Sequence, residues 1–461
     1  MQKGGTAGRP ERAYSDAVLR PQACGRLSLG RGAKGRDGAG LRCYVAAMTT
    51  SDALAGPSRA PLPMGQLLPL LLSVFISLMG FGVVLPVFPF WGRAMGAGPE
   101  MVTVALGAYS AGQFIGAPLW GKLSDRFGRR PALIGSIFGI MLSYIYMAEA
   151  TNVWMLGAAR LMGGLMAGNI AVAFAYVGDV VEGAERPRAL GLLGAAFGAG
   201  FIFGPAVGGI VAGDAPTILD FERVAYVAAL ISAVALVLVV WKLPESHDTA
   251  RRQAARDEGA APRAMEVLKA KPEIWGLMLV AVLVIGSAAM METTFAMFAD
   301  DRLGWSPRDV GLCFGLIGTI SAGMQAGGAA PLARRFGSRK VALFGICAYA
   351  LGLGLMGLTG LGDWAGAGMV IFALAVTAMG VGMFNPAYQT LVTATTDERD
   401  RGLVNGLTQG ASAGGRILGP TISGSVYAGL GIAAPFLGGA ALMLVALAVT
   451  MRIHLGEDPE A

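Results

Sequence analysis

Gly121-Lys122-Leu123-Ser124-Asp125-Arg126-Phe127-Gly128-Arg129-Arg130-Pro131 separates two long apolar runs, 101–120 and 132–148. Each run is long enough to cross a hydrocarbon core of ~30 Å at ~1.5 Å per residue. Four cations and a carboxylate packed together cannot lie in hydrocarbon, so a short turn at a membrane face is expected. Gly128 is free to take a left-handed conformation there, and Pro131 can start the next helix. Lys and Arg are enriched in cytoplasmic loops, which places this turn in the cytoplasm and orients the rest of the chain.

Working outward, 54% of the 461 residues are hydrophobic and 14% are charged, with a mean hydropathy of +0.58. Soluble proteins carry about 25% charged residues, so this is the composition of a membrane protein. The 70 glycines have no triplet period and recur inside apolar runs, where small residues let backbones approach. Cys24, Cys43, Cys313 and Cys347 lack metal-ligand spacing, and neither a disulfide framework nor a zinc site is expected. His247 and His454 lie in polar flanks and give histidine catalysis little to work with. With no nucleotide loop, metal cluster or nucleophile–base pairing, neither an enzyme nor a cofactor is expected. The net charge of +6 arises in the first sixty or so residues, where ten basic residues outnumber four acidic ones. That segment reads as a disordered Gly/Arg-rich tail rather than a nucleic-acid or lipid-binding arm. It holds no secretory signal core, and the natural product is expected to start at Met48.

Twelve spanning helices are expected, at about 66–90, 101–120, 132–148, 153–177, 189–212, 225–241, 273–298, 310–328, 341–361, 367–392, 404–428 and 433–451. They imply a basic extension over 1–63, a six-helix half over 64–241, a cytoplasmic linker over 242–272, a second half over 273–453 and a tail over 454–461. Charge tests this count. Alternate loops carry the cations of the opening stretch, then Arg186 and Arg188, the basic linker, Arg334, Arg335, Arg339 and Lys340, and finally Arg399 and Arg401. The opposite loops hold only Arg93, Arg223, Arg302 and Arg308. An even helix number with both termini cytoplasmic satisfies the rule throughout. The chain also repeats itself. Gly128 and its neighbours are echoed around Gly337, and Gly191, Gly200, Gly204, Pro205 and Gly209 reappear as Gly406, Gly415, Gly419, Pro420 and Gly424. A duplicated bundle follows, with a substrate site near the midplane between the copies.

The opening stretch resembles the loop between the second and third helices of the major facilitator superfamily, and fits best its twelve-helix drug/proton antiporters, the tetracycline exporters among them. Pro86-Val87-Phe88-Pro89 looks like their first-helix motif, although a purely structural kink accounts for it equally. The resemblance implies an all-α major facilitator fold of two pseudo-symmetric six-helix halves. It also implies a conformational latch of Gly121, Asp125, Arg126, Gly128, Arg129, Arg130 and Asp179; a solvated topology-setting turn is the plainer reading. Gly191, Gly200, Gly204, Pro205, Gly208 and Gly209 match the antiporter motif of the fifth helix, which favours exchange over symport. Arg160 matches the fourth-helix arginine linked to proton transfer.

On residue chemistry alone, Arg160 costs at least ~2.5 kcal/mol inside a membrane and must face protein or a wet cavity. Glu292, within Met290-Met291-Glu292-Thr293, is a candidate proton carrier, because apolar surroundings disfavour the charged carboxylate. A static tie to Arg416 is the competing reading. Tyr109, Gln113, Met291, Phe295, Gln325 and Gln389 are candidates to line the cavity. Tetracycline exporters carry acids where Ser77 and Ser143 stand here, and serine cannot titrate near neutral pH, which argues against tetracycline itself. The expected function is proton-coupled efflux of small amphipathic compounds by a monomer in the cell inner membrane, with lipid, substrate and protons as its partners. Transport of an ordinary metabolite such as a sugar or amino acid, or a non-transporting receptor or assembly factor, are the alternatives.

Overall fold

The computed structural model describes residues 62–181, 183–246, 264–362, 366–397 and 400–453. The basic extension with Met48, the middle of the linker with His247, and the tail with His454 lie outside the described residues. Within them, twelve long helices follow one another. The first half comprises α1 (Met64–Ala94), α2 (Pro99–Phe127), α3 (Arg129–Ala148), α4 (Val153–Val180), α5 (Arg186–Ala212) and α6 (Ile218–Lys242). The second comprises α7 (Glu273–Leu303), α8 (Pro307–Phe336), α9 (Ser338–Thr359), α10 (Ala367–Ala394), α11 (Arg401–Leu430) and α12 (Ala434–Arg452). Ten of these are long and apolar enough to cross a membrane; α2 and α11, of 29 and 30 residues, are long enough but more polar.

Sequence accounts for the irregularities. α1 breaks over Leu85–Val87, where Pro86 removes a backbone donor, and resumes at Phe88 with Pro89 in its first turn. α4 breaks at Ala167 and Gly168, an interruption the glycines alone do not predict. The carbonyls freed there are taken by side chains: Trp120 Nε1 donates to Leu165 O at 2.9 Å, and Ser136 Oγ donates to Met166 O at 2.6 Å. α8 contains one π-helical turn, Met324–Gly328, and continues beyond its apolar run to Phe336.

The opening stretch corrects its own reading. Its charges lie mostly on helix, because α2 continues to Phe127 once clear of the apolar run and α3 begins at Arg129. Gly128 alone reverses the chain, at φ +106°, and Gly337 repeats the move between α8 and α9 at φ +82°. Pro131 falls in the first turn of α3 rather than at its first position.

Packing follows the repeat. α1 packs on α5 and α6, α2 on α4, and α3 on α4 and α6; the same pairs recur as α7 on α11 and α12, α8 on α10, and α9 on α10 and α12. Across the halves, α2 meets α11 and α5 meets α8, again related by the repeat. In lipid no aqueous drive pushes helices together, so close backbone contact must hold these pairs. A Cβ at Gly200 would lie 2.7 Å from Leu78 Cβ, and one at Gly204 2.7 Å from Met79 O, on α1. In the second half a Cβ at Gly415 would lie 2.5 Å from Val282 O on α7, and Gly419 presses on Gly286.

Candidate functional site

Between the halves lies a cavity of about 1100 Å³. Its first-half wall includes Phe81 of α1, Tyr109 and Gln113 of α2, Arg160 and Phe174 of α4, and Phe197 and Phe201 of α5. Its second-half wall includes Glu292 and Thr293 of α7, Asn385 of α10, and Gln409 and Arg416 of α11. A smaller space of about 120 Å³ continues behind Glu292 and Arg416, bounded by Tyr349, Phe384 and Asn385. The lower hydropathy of α2 and α11 is thereby explained: these two helices face the cavity and each other, and do not need an apolar stripe all round.

Arg160 is 2% exposed, and its Nε and Nη2 have no hydrogen-bond partner. Its Cζ lies 4.9 Å from the centroid of the Phe88 ring and 5.7 Å from that of Phe81. Such cation–π contacts contribute about 2 kcal/mol when desolvated. Glu292 and Arg416 lie within electrostatic reach of one another, yet no ion pair within 4 Å joins them among the described residues. The static tie weighed from sequence is therefore not formed. Ser77 and Ser143 are both buried: Ser143 Oγ donates to Ile140 O at 2.7 Å, whereas Ser77 Oγ has no partner.

Four residues expected at the cavity are not among its walls. Met291 and Phe295 are buried in packing, and Phe295 meets the rings of Phe314 and Trp305 edge-on. Gln325 lies exposed in the π-turn of α8, and Gln389 lies exposed near the end of α10. Spacing along a helix does not fix which way the helix is rotated, and packing turned these faces elsewhere. Tyr349 and Asn385 were missed. Asn385, an amide next to Pro386 in an apolar run, carried a readable signal; Tyr349 carried none.

At the basic ends of the helices, Arg129 gathers the expected cluster. Its Nε donates to Asp179 Oδ2 at 2.8 Å, and its Nη1 donates to Asp125 Oδ1 at 2.8 Å and Ser124 Oγ at 2.6 Å. A residue not singled out from sequence completes it. Glu245, just after α6, accepts from the backbone N–H of Arg129 at 2.8 Å and of Arg130 at 3.1 Å, capping α3. Arg130 also donates to Val240 O, while Arg126 lies 5.2 Å from the Phe127 ring centroid. These contacts stay within the first half and the start of the linker. Gly121 and Gly191 face open space, so neither is held by close packing.

The opposite ends behave differently. Arg93 of α1 forms a bidentate pair with Asp301 of α7, both bonds 2.7 Å, and reaches Asp300 at 3.1 Å. Tyr427 of α11 donates to Asp301 Oδ2 at 2.5 Å, and Arg308 of α8 pairs with Asp214 at 3.2 Å. Gly209 presses on Pro307 and Arg308, and Gly424 on Thr103. The two halves are thus joined at this face. The cavity ends below it near Leu85, Leu106 and Pro420, but runs toward the basic face as far as Leu119, Phe174 and Gly406. From Pro420 to Gly406 that is roughly 21 Å along α11 at ~1.5 Å per residue. The molecule is closed at one face and open toward the other, with one carboxylate and two guanidinium groups lining the opening.

Comparison with known proteins bears on what passes through it. The profile of the Major Facilitator Superfamily matches residues 70–330 and 328–461. The class C tetracycline resistance protein of Escherichia coli is 30% identical over 388 residues, covering 82% of this chain and 95% of that protein. Multidrug resistance protein 2 of Bacillus subtilis is 26% identical over 386 residues, covering 83% and 93%. The crystal structure of the human organic anion transporter MFSD10 matches with a TM-score of 0.63 at 22% identity, over 85% of this chain and 100% of that one. Helices in two repeats around a central opening, and a family profile spanning nearly all of them, lead to one conclusion: the chain belongs to the Major Facilitator Superfamily and is a membrane transporter, not an enzyme.

Proposed function

We propose that the protein exports small amphipathic compounds across the cell inner membrane in exchange for protons, by alternating access of the central cavity. The names of its relatives, for tetracycline and multidrug resistance, support efflux. The excess of cations at one face supports placing that face, and both termini, in the cytoplasm. The open cavity then takes its substrate from the cytoplasmic side, as a monomer acting alone. Its aromatic wall suits an amphipathic body better than a sugar.

The observation that carries the proposal is Glu292, the one carboxylate lining the cavity among the described residues, facing Arg416 without an ion pair to hold it. Buried Ser77 and Ser143 offer hydroxyls that do not titrate near neutral pH. Glu292 therefore takes the proton, and neutralising it weakens its attraction to Arg416 on its own wall or to Arg160 on the first-half wall. The attraction across the cavity to Arg160 is the one whose loss biases the halves toward the other state. Arg160 supports the same site from the opposite wall. The Arg129 cluster, with Asp125, Asp179 and Glu245, stiffens the first half so that it moves as a unit. In proteoliposomes, Glu292→Gln should abolish substrate-driven proton movement while leaving the protein folded. Proton movement at the wild-type rate in that variant would remove Glu292 as the carrier.

A further inference from the structure

The chamber of about 120 Å³ behind Glu292 is walled mostly by apolar side chains, among them Val284, Ala288, Val381 and Phe384. Glu292 borders both this chamber and the central cavity, whereas Tyr349 of α9 borders the chamber and not the cavity. Tyr349 is buried, and its hydroxyl has no hydrogen-bond partner. A buried phenol without an acceptor is costly, and such a group calls for an explanation. No ligand supplies the acceptor, because the oxygen is enclosed by protein. Arg416 carries donors only and cannot take the phenol proton. Nor can α9 turn Tyr349 elsewhere. A Cβ at Gly380 of α10 would lie 2.6 Å from the Tyr349 backbone nitrogen, and one at Gly345 2.8 Å from that of Phe384, so the two helices are locked backbone to backbone. The acceptor must therefore be a side chain that moves to the phenol. Glu292 is unbranched, lies within electrostatic reach of Tyr349 and already stands at the chamber's edge.

We infer that the chamber receives the Glu292 side chain when it carries a proton, and that Tyr349 is the positioning residue that holds it there. This rests on the exchange reading above and deepens it. A proton from water in the open cavity forms the O–H bond of the acid, and the neutral group then turns into the chamber, where the phenol O–H donates to its carbonyl oxygen. Apolar walls tolerate a neutral carboxyl and exclude a carboxylate, so each protonation state has its own place. Turning away also takes the group out of reach of the first-half wall. The titratable or charged groups lining either space are Glu292 itself, Arg416 from α11, Tyr349 from α9, and Tyr109 and Arg160 across the cavity from α2 and α4. Of these, Tyr349 alone borders only the chamber.

Infrared difference spectra of the full chain in proteoliposomes, taken between alkaline and acid pH, test this without any substrate. They should show a carboxylic C=O band that Glu292→Gln removes. Tyr349→Phe deletes only the hydroxyl. It should move that band to higher frequency, as loss of a hydrogen bond to the carbonyl does. The midpoint of the band's appearance should fall by about half to one pH unit, the shift that one hydrogen bond to the neutral acid supplies. Ala288→Leu fills the chamber and should lower the midpoint in the same direction, which keeps the test open should Tyr349→Phe fail to fold. A band unmoved by Tyr349→Phe, as when Asn385 and not Glu292 meets the phenol, would overturn the assignment. So would a midpoint that rises in Tyr349→Phe or is indifferent to Ala288→Leu. Each of these results leaves Glu292 the carrier. Absence of any band removed by Glu292→Gln would instead sink the exchange reading, and this inference with it.

Discussion

The two halves share a scaffold and differ in where they carry charge. Gly200 and Gly204 seat α5 on α1 as Gly415 and Gly419 seat α11 on α7. Gly209 and Gly424 then carry the corresponding contacts across to the other half. The turn glycines Gly128 and Gly337 both take positive φ. Around them the likeness ends. The first turn is built into a carboxylate–arginine cluster, whereas at the second Arg339 donates to the Met451 carbonyl at 2.8 Å. The cavity walls diverge likewise, with Arg160 on one side and Glu292 with Arg416 on the other. Backbone contact at glycine has no tolerance for drift, so it is retained in both copies; side chains facing water or ligand can diverge, and there the copies acquire separate tasks.

The common scaffold is the easiest part to break. Gly204→Leu and Gly419→Leu each force a side chain into a neighbouring backbone, an overpacking of about 3 kcal/mol or more. Both should lose the monodisperse peak on size-exclusion chromatography in detergent, and to a similar extent. A variant tolerated in one half but not the other would break the equivalence.

The divergent turns should separate by smaller amounts. Arg129 is 8% exposed at its side chain and serves two carboxylates, so Arg129→Ala should cost about 2–3 kcal/mol, read as a lower melting temperature in nanodiscs. The carboxylates are partly in water, Asp125 at 60% and Asp179 at 27% exposed, which holds the effect below that of a fully buried pair. Least affected, Glu245→Ala should cost about 1 kcal/mol through loss of the α3 cap, and Arg339→Ala under about 1 kcal/mol. Melting curves that rank Arg339 above Arg129 would reverse the contrast between the turns.

Several of these features are readable without coordinates. Arg160 and Glu292 stand out because an ionisable group in an apolar run must face protein or water, and both line the cavity. Asp125, Arg129 and Asp179 could be grouped from their positions at helix ends, and the structure joins them. Glu245 could not be found in this way: a lone acid after Pro244 becomes a cap only when α6 ends beside α3. Arg93, Arg223, Arg302 and Arg308, the exceptions to the charge alternation, prove to be engaged. Arg93, Arg223 and Arg308 form ion pairs, and Arg302 donates to the Thr359 and Gly362 carbonyls.

The sequence by itself determined how many helices there are, which ends are basic, and that the chain is a duplicate. Those follow from run length, charge bias and glycine register, which are local or periodic quantities. Tertiary structure alone decided which arginines find acceptors, why Met291 and Phe295 are core while Glu292 meets the cavity, and which face is shut. Each depends on the rotation of one helix against another, and that is fixed only when every glycine contact closes at once.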